Sequence, residues 1–145
     1  MTSNRTYFLV AVHIFFINKG KILLLKRQNT GYGDGQYSVP AGHVDGEESI
    51  GDAMIRETFE ETNVKLDEAP EIIHVMHRVK PDDVRIDYFG LAKNWHQLPT
   101  NQEPEKCAAI KWFPLDKLPS NTIPYIRQAI HYYQAKQLFS DYYEK

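Results

Sequence analysis

The stretch GHVDGEESIGDAMIRETFEETNV, residues 42–64, admits few structures, because it crowds Glu57, Glu60 and Glu61 into what reads as a single helix. Ser49 suits an N-cap, and Asp52 three places on completes a capping box, so the helix is predicted to start at Ile50. It should end at about Thr62, since Asn63 tolerates the left-handed conformation that closes many helices. With Glu57 at zero on a wheel of about 100° per residue, Glu60 falls at about −60° and Glu61 at about +40°. Ile50, Ala53 and Met54 lie on the same arc one and two turns earlier, and their apolar stripe has to face inward. The three acids are therefore carried toward the interior.

Carboxylates leaving water need a positive partner. Arg56, four residues before Glu60, is placed for an ion pair with it. One arginine does not neutralise three glutamates, whereas a divalent cation does, and an all-oxygen donor set suits Mg²⁺ or Mn²⁺ better than zinc. The competing reading is a solvated acidic surface, against which stand the apolar stripe and the glycines upstream.

The order Gly42, Glu48, Arg56, Glu57, Glu60, Glu61, with its spacing, resembles the signature of the Nudix hydrolases, a glycine and a glutamate ahead of Arg-Glu-hydrophobic-x-Glu-Glu-x-Gly. Thr58 stands where that signature has an aliphatic residue and Asn63 where it has glycine; neither position carries a metal ligand. The resemblance implies that Glu57, Glu60 and Glu61 hold the metal together with the carbonyl of Ala41. It makes Arg56 a residue that orients the glutamates, and Glu48 one that completes the shell or holds an outer water. Arg27, at the end of a strand, is placed by it at substrate phosphate. Gly42 lets the backbone approach a ligand closely, and His43 falls beside the expected metal and phosphates. One more carboxylate is expected outside the signature, with Glu105 the first choice and Glu103 the second.

The length of 145 residues suits one domain spanning 1–145, with a core that needs no disulfide. A formal charge of −2 gives no basic footprint, so no nucleic-acid polymer is expected as a partner, while free nucleotides remain open. Cys107 is the sole cysteine, which excludes an internal disulfide and points to a reducing, cytoplasmic setting, with Cys107 a packed small residue. The apolar run Tyr7 to Ile17 is too short to span a membrane and contains His13, so it reads as a buried strand, with no membrane partner.

Tyr7–Ile17 and Ile22–Leu25, joined by Asn18-Lys19-Gly20-Lys21, read as a hairpin. The glycine-rich segment 28–36 lacks the helix that a phosphate cradle requires after it; it reads as a loop at the site's edge, with Tyr32 available to stack on a base. Tyr37–Val39 is a short strand. Glu71–Val79 and Val84–Lys93 form a second hairpin about Pro81-Asp82-Asp83. His96–Lys106 is a polar loop, Ala108–Phe113 a strand, and Ile123 to about Phe139 a closing amphipathic helix whose tyrosines could serve a homodimer contact.

Pattern alone gives an α+β chain with a mixed β-sheet, and the resemblance makes it a Nudix fold, an α/β/α sandwich. It also implies a Mg²⁺-dependent pyrophosphohydrolase of a nucleoside diphosphate linked to another group, a (deoxy)nucleoside triphosphate first, with ADP-ribose, nucleotide sugars and dinucleoside polyphosphates open. Two rivals of other classes are an isoprenoid diphosphate isomerase, which would need a cysteine in the active site, and a non-catalytic nucleotide sensor, which would be expected to lack one of the glutamates.

Overall fold

The computed structural model describes residues 4–144. In chain order the elements are β1 (Leu9–Phe15), β2 (Ile17–Asn18), β3 (Lys21–Arg27), β4 (Tyr37–Ser38), β5 (Ala41–His43), α1 (Ile50–Thr62), β6 (Glu71–Lys80), β7 (Asp83–Leu91), β8 (Cys107–Pro114), α2 (Pro124–Gln134) and β9 (Phe139–Tyr143). They form a mixed sheet in the order β5-β1-β7-β6-β9, with β1 parallel to β7 and β6 parallel to β9. A second sheet is antiparallel and centred on β3, which pairs with β2, β4 and β8.

Both faces of β1 and β3 are buried, and alternate residues serve different cores. Val12, Ile14, Leu23 and Leu25 pack with Ala53 and Met54 of α1, whereas Phe15, Ile22 and Leu24 pack with Ile126, Ala129 and Ile130 of α2. The period-2 alternation of a strand thus assigns one face to each helix, and a layered α/β/α sandwich results. Helix α1 follows the capping argument closely: Asp52 N–H donates to Ser49 Oγ at 3.0 Å, and Asn63 closes the helix at φ 62°.

The first hairpin is shorter than the sequence suggests. Only Ile17 and Asn18 pair with β3, while Leu9–Phe15 joins β5 and β7 in the other sheet. A strand apolar on both faces needs cover on both, and the chain meets this by changing sheets at Phe16. The closing helix is also shorter. It stops at Gln134 because Lys136 adopts φ 58°, and the residues beyond turn back as β9, with Ser140 buried in the sheet. Among the described residues no helix is long and apolar enough to cross a membrane.

Gly90 of β7 is a position where a side chain of α1 comes up against the sheet. A Cβ there would meet Met54 Sδ at 2.6 Å and Pro70 Cβ at 2.8 Å. Gly90→Ala should therefore destabilise the fold by about 1–3 kcal/mol through overpacking. Urea unfolding checks this, and an unchanged midpoint would mean that the helix can move away freely.

Candidate active site

The apolar stripe of α1 sets the helix against β1 and β5, and its next turns carry Glu57 and Glu61 onto the wall of a cavity of about 680 Å³. The approach is close at Gly42. A Cβ on that residue would lie 2.0 Å from the Glu57 carboxyl carbon, so any side chain there would displace the glutamate. Next to it, the Ala41 N–H donates to Glu61 Oε2 at 2.8 Å. Burial pushes the Glu61 carboxyl up to about 8; the Ala41 N–H opposes this, and the neighbouring charges of Glu57 and Glu103 add to it. Glu57 is raised as well, again chiefly by burial.

Arg56 is the hub of the acid network, with a different first partner from the one its helical spacing indicates. Its Nε and Nη2 donate to the two oxygens of Glu48 at 2.7 and 2.9 Å, Nη1 donates to Glu57 at 2.7 Å, and Glu60 is more distant at 3.3 Å. Nη2 also donates to the His43 carbonyl at 3.0 Å, tying the helix to the end of β5. The Arg56 bonds hold Glu48 down at about 2, and the Asp45 N–H adds to the effect. Glu48 is thus committed to Arg56 and does not line the cavity, contrary to its expected place in the metal shell or on the substrate side.

The structure places the two candidate carboxylates outside the signature differently. Glu103 lines the cavity, whereas the exposed Glu105 does not; Glu105 offers its carbonyl to the Asn29 side chain at 3.1 Å. Glu103 arrives there because loop 100–102 binds the end of α1, with Thr100 N–H donating to the Thr62 carbonyl at 2.9 Å and Gln102 N–H to the Glu61 carbonyl at 3.2 Å. These are carbonyls that a helix terminus leaves without intrahelical partners. Ala41, Gly42, His43, Glu57, Glu60, Glu61, Arg27 and Tyr32 all line the same cavity.

Two groups on that wall escaped the sequence reading. Cys107, remote in sequence from the signature, lines the cavity; burial raises its thiol, whose Sγ donates to the Ala109 carbonyl at 3.2 Å, which leaves it a protonated wall residue. At the other end lie His13, Arg78 and Tyr125. The buried Arg78 guanidinium stacks 3.7 Å from the Tyr125 ring centre and donates through Nε to Asp87 at 2.9 Å. The sequence signal such a group leaves is a charged residue inside each of two strands, Arg78 in β6 and Asp87 in β7.

The NUDIX domain family model matches residues 7–133. The chain belongs to the Nudix family. It is a hydrolase of pyrophosphate bonds. This Nudix protein is 27% identical to the MutT NUDIX hydrolase of Burkholderia pseudomallei, with 87% of this chain and 98% of that one aligned at a TM-score of 0.79. A MutT protein of Methanosarcina mazei shares the fold at 20% identity, with 92% and 98% covered and a TM-score of 0.78. A bifunctional NMN adenylyltransferase/ADP ribose pyrophosphatase of Francisella tularensis, solved with AMP and a Mn ion, is 25% identical over 92% of this chain and 43% of that one, at a TM-score of 0.69.

Nudix hydrolases use divalent metals, and the donor set of this Nudix protein fits one. Among the described residues no three acidic, histidine or cysteine side chains are gathered as a ready metal cluster. Glu57, Glu60, Glu61 and Glu103 nevertheless line one cavity, all with oxygen donors; burial first, and the neighbouring carboxylates second, raise Glu61 and Glu57 in a way that a hard cation would relieve. Glu61 makes this measurable. Because its folded-state value lies above the ordinary carboxylate value of 4.5, its contribution to stability is full below about 4.5 and is lost as pH rises through about 8. Metal-free protein should lose melting temperature over that interval relative to Glu61→Gln, and Mg²⁺ at pH 8 should restore it in the wild type alone. Parallel pH curves for the two proteins would refute the burial of the charge. Gly42→Ala should lower kcat about tenfold or more by displacing Glu57, and steady-state kinetics at saturating Mg²⁺ would show it.

Proposed function

We propose that this Nudix protein is a Mg²⁺-dependent pyrophosphohydrolase of a nucleoside diphosphate joined to a further group, with (deoxy)nucleoside triphosphates, oxidised ones included, as its substrates. The observation that carries the reading is the mixed chemistry of one cavity, whose wall combines the acids Glu57, Glu60, Glu61 and Glu103 with basic side chains and tyrosines. Such a cavity suits a ligand with a metal-bound polyphosphate at one end and a planar ring at the other.

When bound by Glu57, Glu60, Glu61 and Glu103, with the Ala41 carbonyl, the divalent ion offsets the repulsion between anions, lowers the pKa of water and stabilises the leaving phosphate. The protein's own groups do the rest. Arg27, Lys26 and Lys106 line the cavity and supply positive charge for phosphate oxygens outside the metal's reach. Arg56, held on Glu48, keeps Glu57 turned toward the cavity and touches no substrate. Tyr32, which lines the cavity and is partly exposed, offers its ring to a base, whereas Tyr125 is buried under the Arg78 guanidinium; a single platform of this kind favours one base over two. ADP-ribose is the second reading, favoured by the likeness to the Francisella protein, whose name includes that activity.

The test is chromatographic product analysis with Mg²⁺ against nucleoside triphosphates, ADP-ribose, nucleotide sugars and diadenosine polyphosphates. Nucleoside monophosphate and pyrophosphate from a triphosphate are the expected products; cleavage confined to ADP-ribose would transfer the assignment to the second reading. Glu61→Gln should lower kcat about a hundredfold or more with an unchanged circular dichroism spectrum. Glu103→Gln should lower it about tenfold while Glu105→Gln stays near wild type. The opposite order for the last two would overturn the assignment of Glu103.

A further inference from the structure

Strand β9 and Glu144 lie beyond the segment 7–133 that the family model matches. β9 runs parallel to β6 along the sheet edge, and the Glu144 N–H donates to the Val79 carbonyl at 2.7 Å. This pairing delivers the Glu144 carboxylate to the aromatic end of the cavity. There it accepts from the Tyr32 hydroxyl at 3.1 Å and lies 3.7 Å from Arg78 Nη1 and 3.8 Å from Lys80 Nζ.

Two consequences follow from that placement. First, the glycine-rich loop is pinned from both sides: Arg27 Nε donates to the Tyr32 carbonyl at 2.7 Å, and Glu144 holds the hydroxyl at the other end of the same residue. Tyr32 is thereby set across the cavity beside the cations, with Lys80 Nζ 5.2 Å from its ring centre. Second, Glu144 offsets positive charge. Arg78, Lys80 and Arg85 face Asp87, Asp83 and Glu144, and Arg27, whose guanidinium lies 5.8 Å from the Tyr32 ring centre, adds a further cation, so removing Glu144 raises the surplus from one positive charge to two. An aromatic-lined wall whose cations are mostly paired favours an uncharged planar ring, whereas one with more surplus cation favours another phosphate.

We propose that β9 completes the substrate site: Glu144 is a positioning residue that anchors Tyr32 across the cavity and neutralises Arg78 and Lys80, so that this end admits a neutral ring and turns away phosphate. The proposal rests on the preceding reading for the identity of the ring, as a nucleobase, but the charge effect stands without it.

Two measurements test it. Inorganic tripolyphosphate is titrated calorimetrically into metal-free protein, where the acids of α1 repel it and the contribution of Arg78 and Lys80 is read as the difference between wild type and Glu144→Gln, the other lining cations being common to both. Glu144→Gln should bind it about fivefold or more tightly than wild type, the gain expected from removing one nearby charge; equal affinity overturns the neutralising role. With the nucleoside triphosphate cleaved best, Tyr32→Phe and Glu144→Ala should each raise KM severalfold with kcat nearly unchanged. The double variant should be no worse than the poorer single, because both remove one contact. Additive effects, or an unchanged KM, overturn the anchoring role. Should Glu144→Ala fail to fold, Glu144→Gln and Tyr32→Phe carry the kinetic test. If wild type cleaves no nucleotide, the proposed substrate class falls while the tripolyphosphate titration still decides the charge effect.

Discussion

The contact between Glu57 and the bare Cα of Gly42 is the constraint on which the rest of the site depends. Burial of Ala53 and Met54 draws α1 down onto the sheet, and the helix cannot seat that stripe without bringing its next two turns of carboxylate along. A glycine makes the space, and the Ala41 N–H gives Glu61 one partner in it. What remains is a group of carboxylates held in place by hydrophobic packing, with Glu57 partnered by Arg56 and Glu61 raised chiefly by burial. A cation bound there would offset the cost of a burial that the apolar core will not release.

Much of this could be read from the residues. The start and end of α1 follow from Ser49 and Asn63, and the shared arc of the acids follows from helical geometry. The Arg56–Glu60 pair also follows, at 3.3 Å, but the shorter bonds of Arg56 to Glu48 do not, because helical spacing sees only neighbours on the helix, whereas Glu48 lies before it and is folded back by the turn at Asp45. As loop carboxylates just ahead of a strand, Glu105 ranks first and Glu103 second from sequence. Which one faces the site is set by hydrogen bonds from Thr100 and Gln102 to the end of α1, and main-chain bonds have no residue signature.

The two errors in secondary structure share a cause. Tyr7–Ile17 was legible as a strand, yet no local pattern reports that the chain changes sheets at Phe16. The end of α2 depends on Lys136 taking a left-handed conformation, which lysine rarely does, and the aromatic run Phe139–Tyr143 is compatible with either helix or strand until β6 offers it an edge. Tertiary partners decided both cases. The buried trio of His13, Arg78 and Asp87 was equally silent, since strands that share a sheet bring together residues remote in sequence.

The loop that delivers Glu103 is fastened by backbone and side chain alike: Thr100 and Gln102 N–H bond the end of α1, while the Asn101 side chain accepts from the Glu103 N–H at 3.1 Å and donates to the Cys107 carbonyl at 2.8 Å. Trp95 packs on Phe16 and Trp112, which leaves residues 96–99 as the stretch that could be exchanged without moving the acid. The metal end and the ring end of the cavity are thereby separable in evolution: one is locked by helix packing, and the other is assembled from strand edges and loops able to drift. A chain built in this way keeps one reaction while changing what it is performed on.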